Sequence, residues 1–320
     1  MKSSAPTLLV LSILMSLAGA VPGYADLTVE NLTCAQAAPS LERLNAPRGA
    51  FKLNPVQLTR WIRSRDGAPR GVVLVIHGLD IRPSRMGDIS NALADSGFDV
   101  LRVALTGHRG SLAEMRTVSH EGWLEETFLS YCVARERASA LGVPLHAVGF
   151  SLGGALIEDL LNQARAEKPV IESAVLFAPA VALTGLTKMG WLLNAFGQGF
   201  ALPTRFIGGY RATNWLPMPA YNSTVATTHA VRGSDMARSN IPTLVFGDRN
   251  DELVSTRGVA RLARAKHLDA WTFERVKISA GPPFPFKLRH IIIDEQAMGR
   301  AQWQLMTAAM LNHFRGQAHL

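Results

Sequence analysis

Ser151 stands between two glycines in the run Val148-Gly149-Phe150-Ser151-Leu152-Gly153-Gly154. A free serine hydroxyl is a weak nucleophile. It gains reactivity where the backbone is strained, the oxygen projects away from its neighbours and a base can reach it. The flanking sequence supplies such a place. Pro144 to Val148 reads as a short buried strand, and Leu152 to Ala164 carries helix formers with apolar positions three and four apart, which puts Ser151 at a strand-to-helix elbow. Residues without a Cβ at 149 and 153 let strand and helix approach closely. The bare Gly-x-Ser-x-Gly pattern also occurs in plain glycine-rich turns, so its setting at the end of an apolar strand carries the argument.

The elements that must hold this elbow alternate along the chain. Val72–Ile76, Val100–Ala104, Leu145–Val148, Ala174–Phe177, Thr243–Phe246 and Phe273–Ile278 are short apolar or β-branched runs that read as buried parallel strands. Helical patterns at Met86–Ser96, Trp123–Leu141, Leu152–Ala164 and Ser255–Lys266 separate most of them, and Asp294–Phe314 reads as a closing helix. The alternation predicts an α/β fold with a doubly wound, mostly parallel sheet. Leu58–Ser64 adds an earlier antiparallel strand before the Asp66-Gly67 turn.

Residues 182–240 break the rhythm: aromatics including Trp191, Phe196, Trp215 and Tyr221 are interspersed with Gly and Pro, with no further convincing strand. This reads as a cap inserted after the strand ending at Phe177, over the carboxyl edge of the sheet where open α/β folds bind ligands. Trp191, Phe196 and Trp215 are candidates to line an apolar substrate pocket, and packing within the cap's own small core is the alternative for each. The organisation expected is a leader at 1–25, a core from 26–181 and 241–320, and the cap at 182–240.

The strand Val72–Ile76 runs into His77-Gly78-Leu79-Asp80. With the GFSLGG elbow and the cap position, this resembles the α/β-hydrolase superfamily, and within it the serine esterase, lysophospholipase and monoglyceride-lipase-like group. The resemblance runs from about Leu58 to the end of the chain. It implies an acid and a histidine that follow the serine in that order. Asp251, in Gly247-Asp248-Arg249-Asn250-Asp251, fits the acid, with Asp248 as runner-up because the loop is long by one residue; these two and Glu252 form, alternatively, a solvated acidic turn or a cation site. His290 lies between the last strand and the last helix, where the resemblance places the base, and the loop Gly281-Pro282-Pro283-Phe284-Pro285 can carry it over Ser151. Of the other histidines, His77 orders the oxyanion loop, His108 shapes another loop at the sheet edge, and His267 and His313 sit in helical contexts. The resemblance implies that backbone N–H groups of Leu79 and Leu152 form an oxyanion hole. The expected chemistry is ester cleavage through an acyl-enzyme on a small-molecule or lipid-like ester, with no cofactor and no metal. Acyl transfer or peptide cleavage with the same triad, and a silent ligand-binding scaffold, are the alternatives.

The first 25 residues, with Lys2 ahead of the apolar run Leu8–Leu17 and small residues before Asp26, resemble a secretory signal, cleaved after Ala25 or Ala20. The expected location is therefore periplasmic or extracellular, and an uncleaved anchor is the alternative. Export would permit a disulfide between the only two cysteines, Cys34 and Cys132, although Cys34 falls in an irregular leader and two unpaired thiols fit equally well. The full chain has a formal charge of +8, and loss of Lys2 with the leader, which holds no acid, makes it +7. The basic residues are scattered and not interleaved with aromatics, which argues against nucleic-acid binding. A peripheral attraction to anionic membrane surfaces stays open beside a plain soluble surface, and the oligomeric state is not encoded legibly.

Overall fold

A computed structural model describes residues 33–163, 167–185, 197, 199–204, 209–278 and 288–316. The leader expected at residues 1–25, Trp191, Phe196 and the 281–285 loop lie outside these residues. In chain order the elements are α1 (Cys34–Ala37), α2 (Leu41–Asn45), β1 (Arg60–Ile62), β2 (Gly71–Ile76), α3 (Gly87–Asp95), β3 (Phe98–Arg102), α4 (Leu112–Met115), α5 (His120–Leu141), β4 (Leu145–Phe150), α6 (Leu152–Asn162) and β5 (Ser173–Phe177). They continue with β6 (Ala201–Pro203), β7 (Trp215–Pro217), α7 (Met218–Gly233), β8 (Thr243–Asp248), α8 (Thr256–Ala265), β9 (Trp271–Val276), α9 (Glu295–Met298) and α10 (Arg300–Phe314).

Seven strands form one sheet in the order β1-β3-β2-β4-β5-β8-β9, parallel throughout except for β1, which runs antiparallel to β3. Residues alternate between the faces of a strand, and a central strand covered on both faces must be apolar at every position. β2 shows this directly. Val72, Leu74 and Ile76 join the core cluster that holds buried residues of α5, α6 and α8, and Val73 and Val75 join the one that holds those of α3 and α10.

Several boundaries depart from the sequence pattern for local reasons. β3 begins at Phe98, ahead of the expected Val100, because buried Asp99 accepts hydrogen bonds from Arg63 and Arg137 at 2.9 Å each and so tolerates a strand position. α5 starts at His120, since Ser119 caps it by accepting the N–H of Gly122 at 3.0 Å. The closing helix is two helices, interrupted at Gly299 by φ 77° and ψ 150°, which no helix accommodates. His267 does not lie in a helix: it follows α8 at φ 53°. The interval 182–240 does contain strands, the three-residue pair β6 and β7, too short to leave an alternating pattern. Its second half is α7, which packs against α6 and gives the Thr228 hydroxyl to the carbonyl of Ala180 at 2.6 Å, and thereby belongs to the helical layer of the sheet.

Cys34 lies in the short helix α1, not in irregular chain, and is disulfide-bonded to Cys132 of α5. The same amino-terminal segment is held a second time. Arg109, 1% exposed, pairs with buried Glu114 and donates to the carbonyls of Leu44 and Ala46 at 3.2 and 3.3 Å. No described helix is long and apolar enough to cross a membrane.

Candidate active site

The elbow takes the geometry its sequence implies. Ser151 has φ 50° and ψ −113°, a conformation that a non-glycine residue occupies only when its surroundings enforce it. Its N–H donates to Phe177 at 2.9 Å and its carbonyl accepts from Ala180 at 2.9 Å, so the end of β5 holds the turn on both sides. A Cβ at Gly149 would lie 2.5 Å from the backbone nitrogen of Gly154, and one at Gly153 would collide with the carbonyl of Ile76. Neither position has room for a side chain.

The Oγ of Ser151 lies 2.8 Å from Nε2 of His290, and Nδ1 of the same ring lies 2.8 Å from Oδ2 of Asp251. Since a carboxylate only accepts, Nδ1 carries the proton and Nε2 is free to accept from the serine hydroxyl. Asp251 is fixed in turn: its Oδ1 accepts the N–H groups of Leu253 and Val254 at 2.8 and 2.9 Å. The loop bearing His290 is anchored by Ile291, Ile292 and Ile293, all buried, and the ring of Phe150 sits 5.0 Å from the imidazole. Sequence separations of 139 and 39 residues thus close into one hydrogen-bonded chain.

Asp248 does not reach the histidine. Its carboxylate accepts the N–H groups of Asn250 at 2.7 Å and Ile278 at 3.3 Å, and shapes the loop on which Asp251 rides. Glu252 turns to the N–H of Arg289 at 2.9 Å, so no two of the three acids of this loop share a partner among these bonds.

The turn after β2 lies against the elbow. A Cβ at Gly78 would come within 2.8 Å of the Phe150 ring and 3.1 Å of the Ser151 Cβ, which sets Leu79 beside the nucleophile position. The Leu152 N–H, at the first position of α6, has no acceptor within its own helix and carries the positive end of the helix dipole. His77 uses Nδ1 toward the Gly78 carbonyl at 2.9 Å and accepts the Leu105 N–H on Nε2 at 3.1 Å. His108 accepts the Asp80 N–H on Nε2 at 2.9 Å. Burial pushes the His77 imidazole down to about 4 and that of His108 well below the usual histidine range, so both rings are neutral acceptors.

Comparison with known proteins agrees with this architecture. The family model described as serine aminopeptidase, S33, matches residues 67–214. The chain superposes on one of the metagenome-derived lipolytic enzymes LipS and LipT with TM-score 0.64 at 19% identity, covering 83% of this chain and 100% of that one. A soluble variant of monoglyceride lipase from Saccharomyces cerevisiae gives TM-score 0.68 at 13% identity, over 86% and 100% of the two chains. The chain has the α/β-hydrolase fold. No curated protein matches its sequence. The monoacylglycerol lipase of Paleococcus ferrophilus superposes with TM-score 0.57 at 18% identity over 80% of this chain and 99% of that one.

These neighbours, each under 20% identical, share the fold with this chain. Of the three aromatics expected to line its pocket, only Trp215 is described; it stands on β7, 45% exposed. Two polar residues that the sequence pattern did not single out touch the turn after β2 and the histidine loop. Thr213 bonds to Asp80, and Tyr210 gives its hydroxyl to Asp294 at 2.8 Å. Only their neighbours in space mark them, since neither belongs to a motif.

Proposed function

We propose that this protein is an exported hydrolase of carboxylic esters with apolar, lipid-like acyl groups, acting through an acyl-enzyme on Ser151. The observation that carries the reading is the histidine held at 2.8 Å from both a strained serine and an anchored aspartate. In the reaction, Ser151 Oγ attacks the ester carbonyl carbon and its proton passes to Nε2 of His290, while Asp251 keeps the ring in the required tautomer and stabilises the imidazolium. The carbonyl oxygen becomes an oxyanion and is received by the N–H groups of Leu79 and Leu152. His290 returns the proton to the departing alkoxide. Water then attacks the acyl-enzyme, gives its proton to the same nitrogen, and the carboxylic acid leaves as Ser151 recovers its hydrogen.

The substrate class is supported by the monoglyceride and monoacylglycerol lipases among the structural neighbours and by the aromatic residues of the 182–240 segment. Export is supported by the leader pattern at 1–25 and by the Cys34–Cys132 bond, which suits an oxidising compartment. Peptide-bond cleavage is the second reading, favoured by the description of the matching family model.

A panel of p-nitrophenyl esters from C2 to C16, run beside aminoacyl p-nitroanilides, tests these readings. Ester turnover rising with chain length supports the proposal, and anilide cleavage without ester turnover replaces it by the peptidase reading. Labelling by a fluorophosphonate that vanishes in Ser151→Ala supports the assigned nucleophile; persistent labelling locates it elsewhere.

A further inference from the structure

We infer that Asp80 is a positioning residue of the oxyanion turn, clasped by Thr213, so that the strap Tyr210–Thr213 helps to set the orientation of the Leu79 N–H. The inference rests on the functional reading above and names what that site requires beyond its triad.

Asp80 follows Leu79 directly and is 1% exposed, with φ 51°, a backbone state uncommon outside glycine though aspartate adopts it more often than most residues. Hydrogen bonds hold it there. Its N–H goes to His108 at 2.9 Å, its carbonyl accepts the Ala212 N–H at 2.7 Å, and its Oδ1 accepts the Thr213 N–H at 2.9 Å and lies 3.0 Å from the Thr213 hydroxyl, whose one hydrogen is shared with the Trp215 carbonyl at 2.7 Å. All but the first come from residues 212 and 213, far along the chain. The adjoining backbone repeats the contact: Ile81 bridges to Arg211, and the Arg82 N–H donates to the Tyr210 carbonyl at 2.8 Å. At its other end the same strap reaches the histidine loop, since Tyr210 donates to Asp294 and Arg85 lies 4.4 Å over the Tyr210 ring.

Tyr210 to Thr213 therefore touches both halves of the site, the oxyanion turn through Asp80 and the loop of His290 through Asp294. An oxyanion donor acts only when it is already aimed at the place where charge develops. The Leu79 N–H shares a peptide plane with the Gly78 carbonyl, which is held by His77 at 2.9 Å and the Ile81 N–H at 3.2 Å, and Asp80 holds the other side of Leu79. The chemistry asked of Asp80 is acceptance of hydrogen bonds, not charge. Its Oδ2 is buried with no partner among the described residues, and burial pushes the carboxyl up to about 6. An asparagine, whose Oδ1 accepts the same bonds, should therefore replace it.

The test measures kcat and KM for the best p-nitrophenyl ester, and the inhibition constant of a trifluoromethyl ketone with the same acyl chain, in wild type, Asp80→Ala, Asp80→Asn and Thr213→Val. The ketone adds to Ser151 and carries the oxyanion, so it reports the hole without turnover. Asp80→Ala is expected to lose about 10²-fold in kcat and in ketone affinity with KM within about 3-fold, since small misplacements of reacting groups cost that much. Asp80→Asn should stay within about 3-fold of wild type, and Thr213→Val, which removes one bond of the clasp, should lose about 2- to 10-fold. If Asp80→Ala does not fold, Thr213→Val decides alone. An active wild type whose folded variants keep kcat and ketone affinity overturns the inference and leaves the functional reading intact, as does an Asp80→Asn variant that fails like the alanine. A wild type that neither turns over any ester nor reacts with the fluorophosphonate overturns both.

Discussion

The imidazoles of His77 and His108 lie with ring centroids 4.5 Å apart, and each accepts a backbone N–H on Nε2, from Leu105 and Asp80 respectively. Two neutral rings therefore join the turn after β2 to the loop after β3. A protonated imidazole has no acceptor lone pair and could hold neither bond.

This arrangement sets an acid limit. The folded-state affinity of His77 for protons is depressed to about 4 and that of His108 well below the ordinary histidine value, while the unfolded chain titrates near 6.5. Between these values the unfolded state binds more protons, so the stabilisation is complete above about pH 6.5 and is lost as pH falls toward about 4. Urea unfolding at pH 7, 5.5 and 4 should show the midpoint falling steadily. In His77→Gln, whose side chain does not titrate, the fall should be shallower; equal slopes in the two proteins would count against the account.

On the alkaline side Glu158 in α6 is a carboxyl strongly raised by burial. It is fully buried, and burial pushes it up to about 8, an effect that the Ser239 hydroxyl offsets only in part. A carboxyl raised in the folded state keeps a proton that the unfolded chain releases near 4.5, so stability falls as pH rises from there to about 8 and the penalty is complete above it. Glu158→Gln should match wild type near pH 4.5 and exceed it by about 1–3 kcal/mol at pH 9, the scale of the desolvation penalty of a buried polar group. Thermal melts at the two pH values measure this, and a constant difference between the proteins would assign the effect to packing.

The Cys34–Cys132 bond closes a loop spanning 98 positions. Constraining so long a loop in the unfolded chain should contribute roughly 2–5 kcal/mol. Cys34→Ala with Cys132→Ala is expected to lower the unfolding free energy obtained from urea titration by that amount. Because Arg109 still ties Leu44 and Ala46 to the core, the double variant should keep its ester turnover. Loss of turnover in a folded double variant would show that the disulfide acts on the site itself.

Much of this was legible in the chain because the decisive signals are local. The core strands β2, β4, β5 and β8 are buried at every position and read as short, largely apolar runs, and the Ser151 elbow combines such a run with glycines that the packing demands. β9 was displaced by two residues since it is an edge strand with four exposed positions, Thr272 to Arg275. The disulfide was undecided, for the approach of Cys34 to α5 depends on a fold that neither cysteine's neighbours reveal. The Asp80–Thr213 clasp was invisible for the same reason: it joins residues 133 apart and belongs to no repeat or period.

The choice between Asp251 and Asp248, which the sequence left open, can be settled by kinetics. Asp251 is the carboxylate that meets Nδ1 of His290, and replacing it by asparagine keeps the shape but allows an amide N–H to face the ring, which favours the tautomer with its proton on Nε2. That nitrogen could then no longer accept from Ser151. A loss of about 10⁴-fold in kcat is expected for Asp251→Asn, the scale on which a wrong tautomer disables such a site. Asp248→Asn retains an oxygen for the Asn250 N–H and has no contact with the imidazole, so its kcat should stay within about 10-fold of wild type. Steady-state rates with one p-nitrophenyl ester compare the two, and the reverse order of losses would transfer the acid's role to Asp248.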